Sequence, residues 1–268
     1  LESRAVYEDA VEWFEALDNL ELRNNRESKS GYKDRRLDAV RNAVSTLVPQ
    51  LSNMRMVGLP PRLMVDVELP GRPPESLSAE QLSGGYRVML ALVMDLARRM
   101  VDLNPDLPNP LGAEGVVLID EIDLHLHPRW QQLVVEGLRK TFPNVQFIMT
   151  THSPQVLTTV KPENILNLTW SNGHLVRRDV PSTSGAESGR LMSEVMGVEE
   201  RPPANVSSFV RLLEAYRELV GEGQWEAPEA TRLLDSLRDV SPDDPVLGAL
   251  DLERRRLAAQ KRRVTGEA

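Results

Sequence analysis

With 268 residues, 41% of them apolar and 27% charged, the chain can bury a sizeable core, which excludes disorder throughout and fits one main domain with an appendage. No apolar run reaches the roughly 20 residues of a membrane-spanning helix; the longest, around Val88 to Val93, is broken soon after by Asp95, Arg98 and Arg99. A net charge of −8 excludes a uniformly basic nucleic-acid coat, and the lack of cysteine excludes disulfides and thiolate metal sites, in keeping with a reducing cytoplasm.

Taken in order, Val6, Val11, Phe14, Leu17 and Leu20 recur at near-helical spacing and predict an amphipathic helix over residues 5–23. A second helix is expected from Asp34 to Leu51, with Leu37, Val40, Val44, Leu47 and Leu51 on one face. Its other face carries Arg35, Arg36 and Arg41, which reads as a solvated surface in preference to a phosphate contact. Residues 63–67 alternate as a strand and the proline-rich stretch 69–75 reads as a loop. Ser78 to Gln81 then set up a helix start, and Leu82-Ser83-Gly84-Gly85-Tyr86 opens a long apolar helix. Glycines there permit close backbone approach, and the free amides of a helix start form an anion site. Residues 104–112 are a proline-rich connector.

The run Gly115-Val-Val-Leu-Ile-Asp-Glu121 predicts a strand buried on both faces that delivers Asp120 and Glu121 to its carboxyl end. Ligands bind at such ends in open parallel sheets. One carboxylate can hold a hard cation such as Mg²⁺ there while its neighbour polarises a water. His125 and His127 beside Asp123 offer metal-ligand types, a reading ranked below a loop role. Pro128 starts a helix expected to run through Lys140, with Trp130, Leu133, Val134 and Leu138 inward. Val145 to Thr151 form a second buried strand ending in His152, 31 positions after Glu121. An imidazole so placed can hydrogen-bond a terminal phosphate and orient water. Ser153 and His152 are adjacent on a turn and rarely meet in nucleophile–base geometry, so Ser153-Pro154 read as the next helix start.

A glycine-rich helix start, an Asp-Glu strand, a helix and a His-bearing strand, in this order, resemble the second half of an ATP-binding-cassette (ABC) ATPase head. The segments Ile122-Asp-Leu-His-Leu-His-Pro128 and Thr150-Thr-His-Ser-Pro154 are similar to the soluble AAA-type branch with RecF-like and SMC-like heads. The resemblance implies an α/β fold, the ABC-type P-loop NTPase head with its parallel sheet flanked by helices, followed by a helical module. It further implies ATP and Mg²⁺, with Asp120 on the metal, Glu121 as base and His152 on the γ-phosphate. Ser83, Gly84, Gly85 and Tyr86 would form the signature motif facing the nucleotide of a second copy in a head-to-tail dimer. Asp123 would belong to the D-loop at that interface. Tyr86 stands where the family usually has glutamine, a mark shared with its defence-type members. No G-x-x-x-x-G-K-[ST] loop occurs and the chain begins with Leu1, so the Walker A loop is expected upstream.

Farther on, residues 165–168 and 174–177 flank Ser171-Asn-Gly173 and predict a hairpin closing the sheet edge. The Ser/Gly/Pro stretch 181–187 reads as the domain boundary. Helices follow at Leu191–Met196, Phe209–Val220, Ala230–Leu237 and Val246–Leu257. The expected organisation is a helical arm over 1–60, an ATPase lobe over 61–180 and a helical module over 181–268. Arg254-Arg-Arg256 and Lys261-Arg-Arg263 suit either nucleic acid, an acidic partner or a solvated terminus.

Met192-Ser-Glu-Val-Met-Gly-Val198, Arg201-Pro202 and Asp243-Asp-Pro-Val-Leu247 resemble the tail of PtuA-type ATPases of Septu and retron antiphage systems. That resemblance implies an ATP-driven dimer of heads, or a higher oligomer, controlling an HNH nuclease, with a reverse transcriptase and noncoding RNA, or DNA, as further partners. Two other readings stay open: a RecF-like or SMC-like ATPase of DNA repair, and a scaffold that does not hydrolyse nucleotide.

Overall fold

The computed structural model describes residues 2–28, 31–69, 71–199 and 201–265, with the side chains of 2–6, 28 and 261–265 left aside. Two compact units emerge, Leu1–Met196 and Gly197–Ala268. In the first, α1 (Glu2–Ser28) and α2 (Arg35–Leu47) are the two expected helices; Val6 lies outside the described side chains. Leu37, Val40, Val44 and Leu47 are buried, as their spacing requires. Asp34 caps α2 by accepting the amide of Arg36. The helix stops short of Leu51, since Pro49 has no amide to donate to its ladder.

Leu51 instead opens an antiparallel meander of β1 (Leu51–Val57), β2 (Arg62–Val67) and β3 (Glu75–Ser78). A register shift between Ser52 and Arg55 holds Asn53 at φ 50, a bulge in β1. Arg41 is committed to this scaffold. It bonds the buried Asp18 (2.8 Å), Glu21 (3.0 Å) and the carbonyl of Met54 (3.2 Å), over the ring of Phe14 at 5.6 Å. Asp18 also accepts the amide of Met56 (3.0 Å), so α1, α2 and β1 are stitched together. Arg36 pairs with Asp34 and Arg35 donates to the carbonyls of Leu107 and Pro108. The arginine face is therefore structural.

The long helix α3 (Gly84–Leu103) buries Met89, Leu90, Val93, Met94 and Ala97 in a core that also takes in α1, α2 and the meander. That shared core corrects the expected division at residue 60. β4 (Gly115–Ile119) and β5 (Val145–Met149) pair in parallel from Gly115 opposite Val145 to Ile119 opposite Met149. Their crossover holds α4 (Pro128–Gln131) and α5 (Val134–Thr141). The single helix expected over 128–140 is thus interrupted, and Leu133 is 49% exposed rather than inward. β4 is not buried on both faces either. Helices cover one side, while Val116 and Leu118 are 64% and 75% exposed on the other.

After α6 (Pro154–Leu157), β6 (Asn167–Ser171) and β7 (His174–Arg178) form a hairpin through Asn172 and Gly173, both at positive φ. This pair is a sheet of its own and does not close the β4–β5 edge. α7 (Ser188–Glu194) follows. Residues 181–187 pack on the first unit: Thr183 is fully buried and donates to the carbonyl of Val160, and the amide of Gly185 donates to Thr158. The chain divides after Met196 instead of at this stretch.

The second unit packs α8 (Ser208–Gly221), α9 (Pro228–Val240) and the start of α10 (Pro245–Thr265) around Phe209, Leu213, Tyr216, Leu234 and Leu237. Proline opens both α9 and α10, where no intrahelical donor is needed. Arg201 holds Asp244 through two hydrogen bonds, and Asp244 accepts the amide of Val246 at the start of α10.

Candidate functional site

Parallel strands in register end together, so β4 and β5 deliver residues 120 and 150 to one rim. Main-chain bonds continue past the strands, from the amide of Thr150 to Ile119 and from the amide of Ile122 to Thr150, 3.0 Å each. Between these the chain turns sharply at Glu121, whose φ of 50 lies in the left-handed region. For a non-glycine residue that conformation costs on the order of 1–3 kcal/mol and marks a place the surroundings over-determine. Two bonds hold it: the Glu121 amide to the Thr150 hydroxyl (2.8 Å) and the Leu124 amide to the Glu121 carbonyl (2.9 Å). The same Thr150 hydroxyl donates to Asp120. One oxygen thus bonds both the Asp120 carboxylate and the Glu121 backbone. Asp120 and Glu121 are both exposed, and among the described residues no hydrogen bond or ion pair engages the Glu121 carboxylate.

Asp123 faces the β5 end. Its carboxylate accepts the Thr151 hydroxyl and the amide of His152 (3.2 Å), setting the turn from which the exposed His152 projects. Gln131 braces both turns, donating to the carbonyls of Asp123 (3.3 Å) and Leu126 (2.9 Å) and accepting from the Ser153 hydroxyl (2.8 Å). Ser153 in turn accepts the amides of Gln155 and Val156 as the cap of α6. His127 caps α4, its Nδ1 accepting the amide of Arg129 (3.3 Å), and His125 is exposed at φ 63. Thr150, Thr151 and Gln131 were not among the expected site residues. The Thr-Thr pair directly before His152 was the available signal, because hydroxyls at a strand end can satisfy neighbouring turns.

The start of α3 is the remaining part. Ser83 takes the N-cap position without a capping side-chain bond, so the first-turn amides of Gly84, Gly85 and Tyr86 have neither a side-chain cap nor a preceding turn to bond. Such a terminus favours an anion. Trp130 of α4 packs here, edge to face with Tyr86 at 5.1 Å and 73°. A Cβ on Gly85 would lie 3.3 Å from Trp130 Cδ1, a tight contact that the bare glycine avoids. Adjacent residues of α4 therefore touch both parts, Trp130 the α3 start and Gln131 the acid and histidine turns. No hydrogen bond joins Ser83 or Gly84 to the acids among the described residues.

These donors fit a magnesium nucleotide. Mg²⁺ takes one or two carboxylates and completes its shell with water and phosphate oxygens, and no group of three or more His, Cys, Asp or Glu side chains gathers into a protein cage among the described residues. Likewise, no helix among the described residues is long and apolar enough to cross a membrane.

The chain is 39% identical over 233 residues to the "Retron Ec83 probable ATPase" of Escherichia coli, covering 87% of this chain and 41% of that protein. It is 37% identical over 201 residues to the "Retron Vc95 probable ATPase" of Vibrio cholerae serotype O1 biovar El Tor, covering 75% and 38%. To the "Septu protein PtuA" of Bacillus mycoides (strain KBAB4) it is 36% identical over 127 residues, covering 46% and 17%. It spans less than half the length of each of these relatives. The α/β fold is that of an ABC-type P-loop NTPase head. Matching over residues 7–158, more than half of its length, the chain belongs to the family described as "AAA domain, putative AbiEii toxin, Type IV TA system".

Proposed function

We propose that this chain supplies the signature, Walker B and switch-histidine parts of an ATP-hydrolysing head that works as a dimer or higher oligomer. The observation that carries the reading is the Thr150 hydroxyl shared by Asp120 and the Glu121 amide at the rim where β4 and β5 end. It leaves one acid anchored and the next free, the division that water activation beside a metal requires. Asp120 holds the Mg²⁺, which when bound offsets the charge of the phosphates. Glu121 takes a proton from the attacking water, and His152 hydrogen-bonds the γ-phosphate. Asp123 acts through the turn it sets beneath His152. The Ser83 hydroxyl and the amides of Gly84, Gly85 and Tyr86 receive the terminal phosphate presented by a second, head-to-tail copy.

The names of the relatives, a retron ATPase and a Septu protein, support a place in such a system; control of an associated HNH nuclease by ATP binding and turnover is the further step of the proposal. In a retron setting the reverse transcriptase and its noncoding RNA are further partners. Glu121→Gln in the full-length protein tests the chemistry. Nucleotide affinity should stay within about twofold while steady-state phosphate release falls by about 10²-fold or more. Undiminished release would remove Glu121 from the role of base. The system-level step is read separately, by whether the nuclease co-purifies and whether Glu121→Gln alters its cleavage.

A further inference from the structure

The second unit carries a surface that the ATPase reading does not use. α10 is anchored by Leu247 and Leu250, 6% and 3% exposed; beyond Leu250 none of its described side chains is buried, and Leu252 is 67% exposed. Beyond Leu250 the helix keeps one half-buried face, at Glu253, Arg254, Leu257 and Ala258, and exposes the other. The content of this stretch is charge. Arg254, Arg255, Arg256, Lys261, Arg262 and Arg263 occur with no acid among residues 254–263, in a chain of net charge −8. Asp251, one turn earlier, is already paired with Arg238 at 2.9 Å. Arg255 and Arg256 are exposed.

We infer that this half of α10 docks on double-stranded DNA. Guanidinium forks match phosphate oxygens in pairs, and five of the six cations are arginine. Protein contacts centre on clustered aromatic and aliphatic anchors; residues 251–265 contain no aromatic residue, and among their described side chains Leu252 is the one exposed large aliphatic. The exposed face of a helix about 10–12 Å across fits the B-DNA major groove of about 12 Å, whereas the deep, narrow major groove of A-form RNA does not admit it. The surface lies outside the first unit, so it stands apart from the assignment of Glu121 and His152.

The full-length protein is titrated into a fluorescein-labelled DNA duplex of about 24 base pairs, with anisotropy read between about 50 and 200 mM KCl. Binding is expected, with affinity falling steeply as salt rises. R254A/R255A/R256A should weaken it at least about tenfold and reduce the slope of log K against log salt by about 2–3. Alanine keeps helix propensity high, so loss of the helix does not mimic this result. R254K/R255K/R256K keeps the charge and should keep the slope within about one unit. The inference is overturned by absence of DNA binding at the lowest salt, by an unchanged affinity and slope in the alanine variant, or by a lost slope in the lysine variant. Tighter binding to an RNA duplex of the same length, or to polyglutamate, overturns it as well.

Discussion

Thr150 shows how much rests on one side chain. It carries no charge and was given no role of its own in the sequence, yet its hydroxyl bonds Asp120 and steadies the left-handed backbone at Glu121. Thr150→Val keeps shape and removes both bonds. At roughly 0.5–1.5 kcal/mol for each bond, turnover should fall about tenfold with nucleotide affinity retained, and Thr150→Ser should restore most of it. A valine variant with wild-type phosphate release would show that the acids hold their places unaided. The places of Asp120, Glu121 and His152 just past β4 and β5 were legible in the sequence, because an apolar run that stops at an acid or a histidine is a local pattern. Thr150 and Gln131 were not, because common polar residues acquire meaning only through what they touch.

The packing of α5 on α2 depends on Gly137. A Cβ added there would lie 2.6 Å from Leu47 Cδ1 and 3.7 Å from the Leu47 carbonyl oxygen, and Leu47 is buried. Gly137→Ala should therefore destabilise the protein by about 1–3 kcal/mol despite the better helix propensity of alanine, read as a lower urea midpoint. Combined with Leu47→Ala, the losses should sum to less than the separate effects, because the smaller side chain relieves the clash. Full additivity would place the strain elsewhere. Legibility among the elements followed periodicity. α2 and α3 declared themselves by stripes at helical spacing, while β1 went unread because Ser52, Asn53 and Arg55 break its alternation at the bulge. β4 misled in the opposite direction. Its unbroken apolar run reads as two-sided burial, yet only one face is covered in this structure.

Across the molecule, buried or half-buried carboxylates are held by basic and polar neighbours. Arg36 keeps Asp34 below its ordinary 3.8, chiefly through side-chain hydrogen bonds; Asn53 and then Arg55 do so for Asp66, and Arg201 for Asp244. A folded value below the unfolded one contributes stability that is fully present above about pH 4 and is lost as pH falls through the folded values. Urea midpoints should thus be level in these contributions from about pH 7 to 5 and decline below about pH 4. A decline already complete by pH 5 would assign acid sensitivity to other groups. Removing one member of such a network is more severe than protonating it. Asp18→Ala leaves the amide of Met56 without its acceptor and Arg41 with Glu21 and the Met54 carbonyl alone, and should cost about 1–3 kcal/mol in denaturant unfolding.

Residue order alone was enough to reveal the helices, the Asp-Glu and histidine strand ends and the glycine turn, because each is a local pattern with a local physical cause. Whether residues 1–60 share a core with the lobe, where the chain divides, which arginines are already engaged and how Thr150, Gln131 and Trp130 bind the turns together depended on contacts between distant segments. Those choices are made by packing and hydrogen-bond satisfaction in three dimensions, and no periodicity along the chain encodes them.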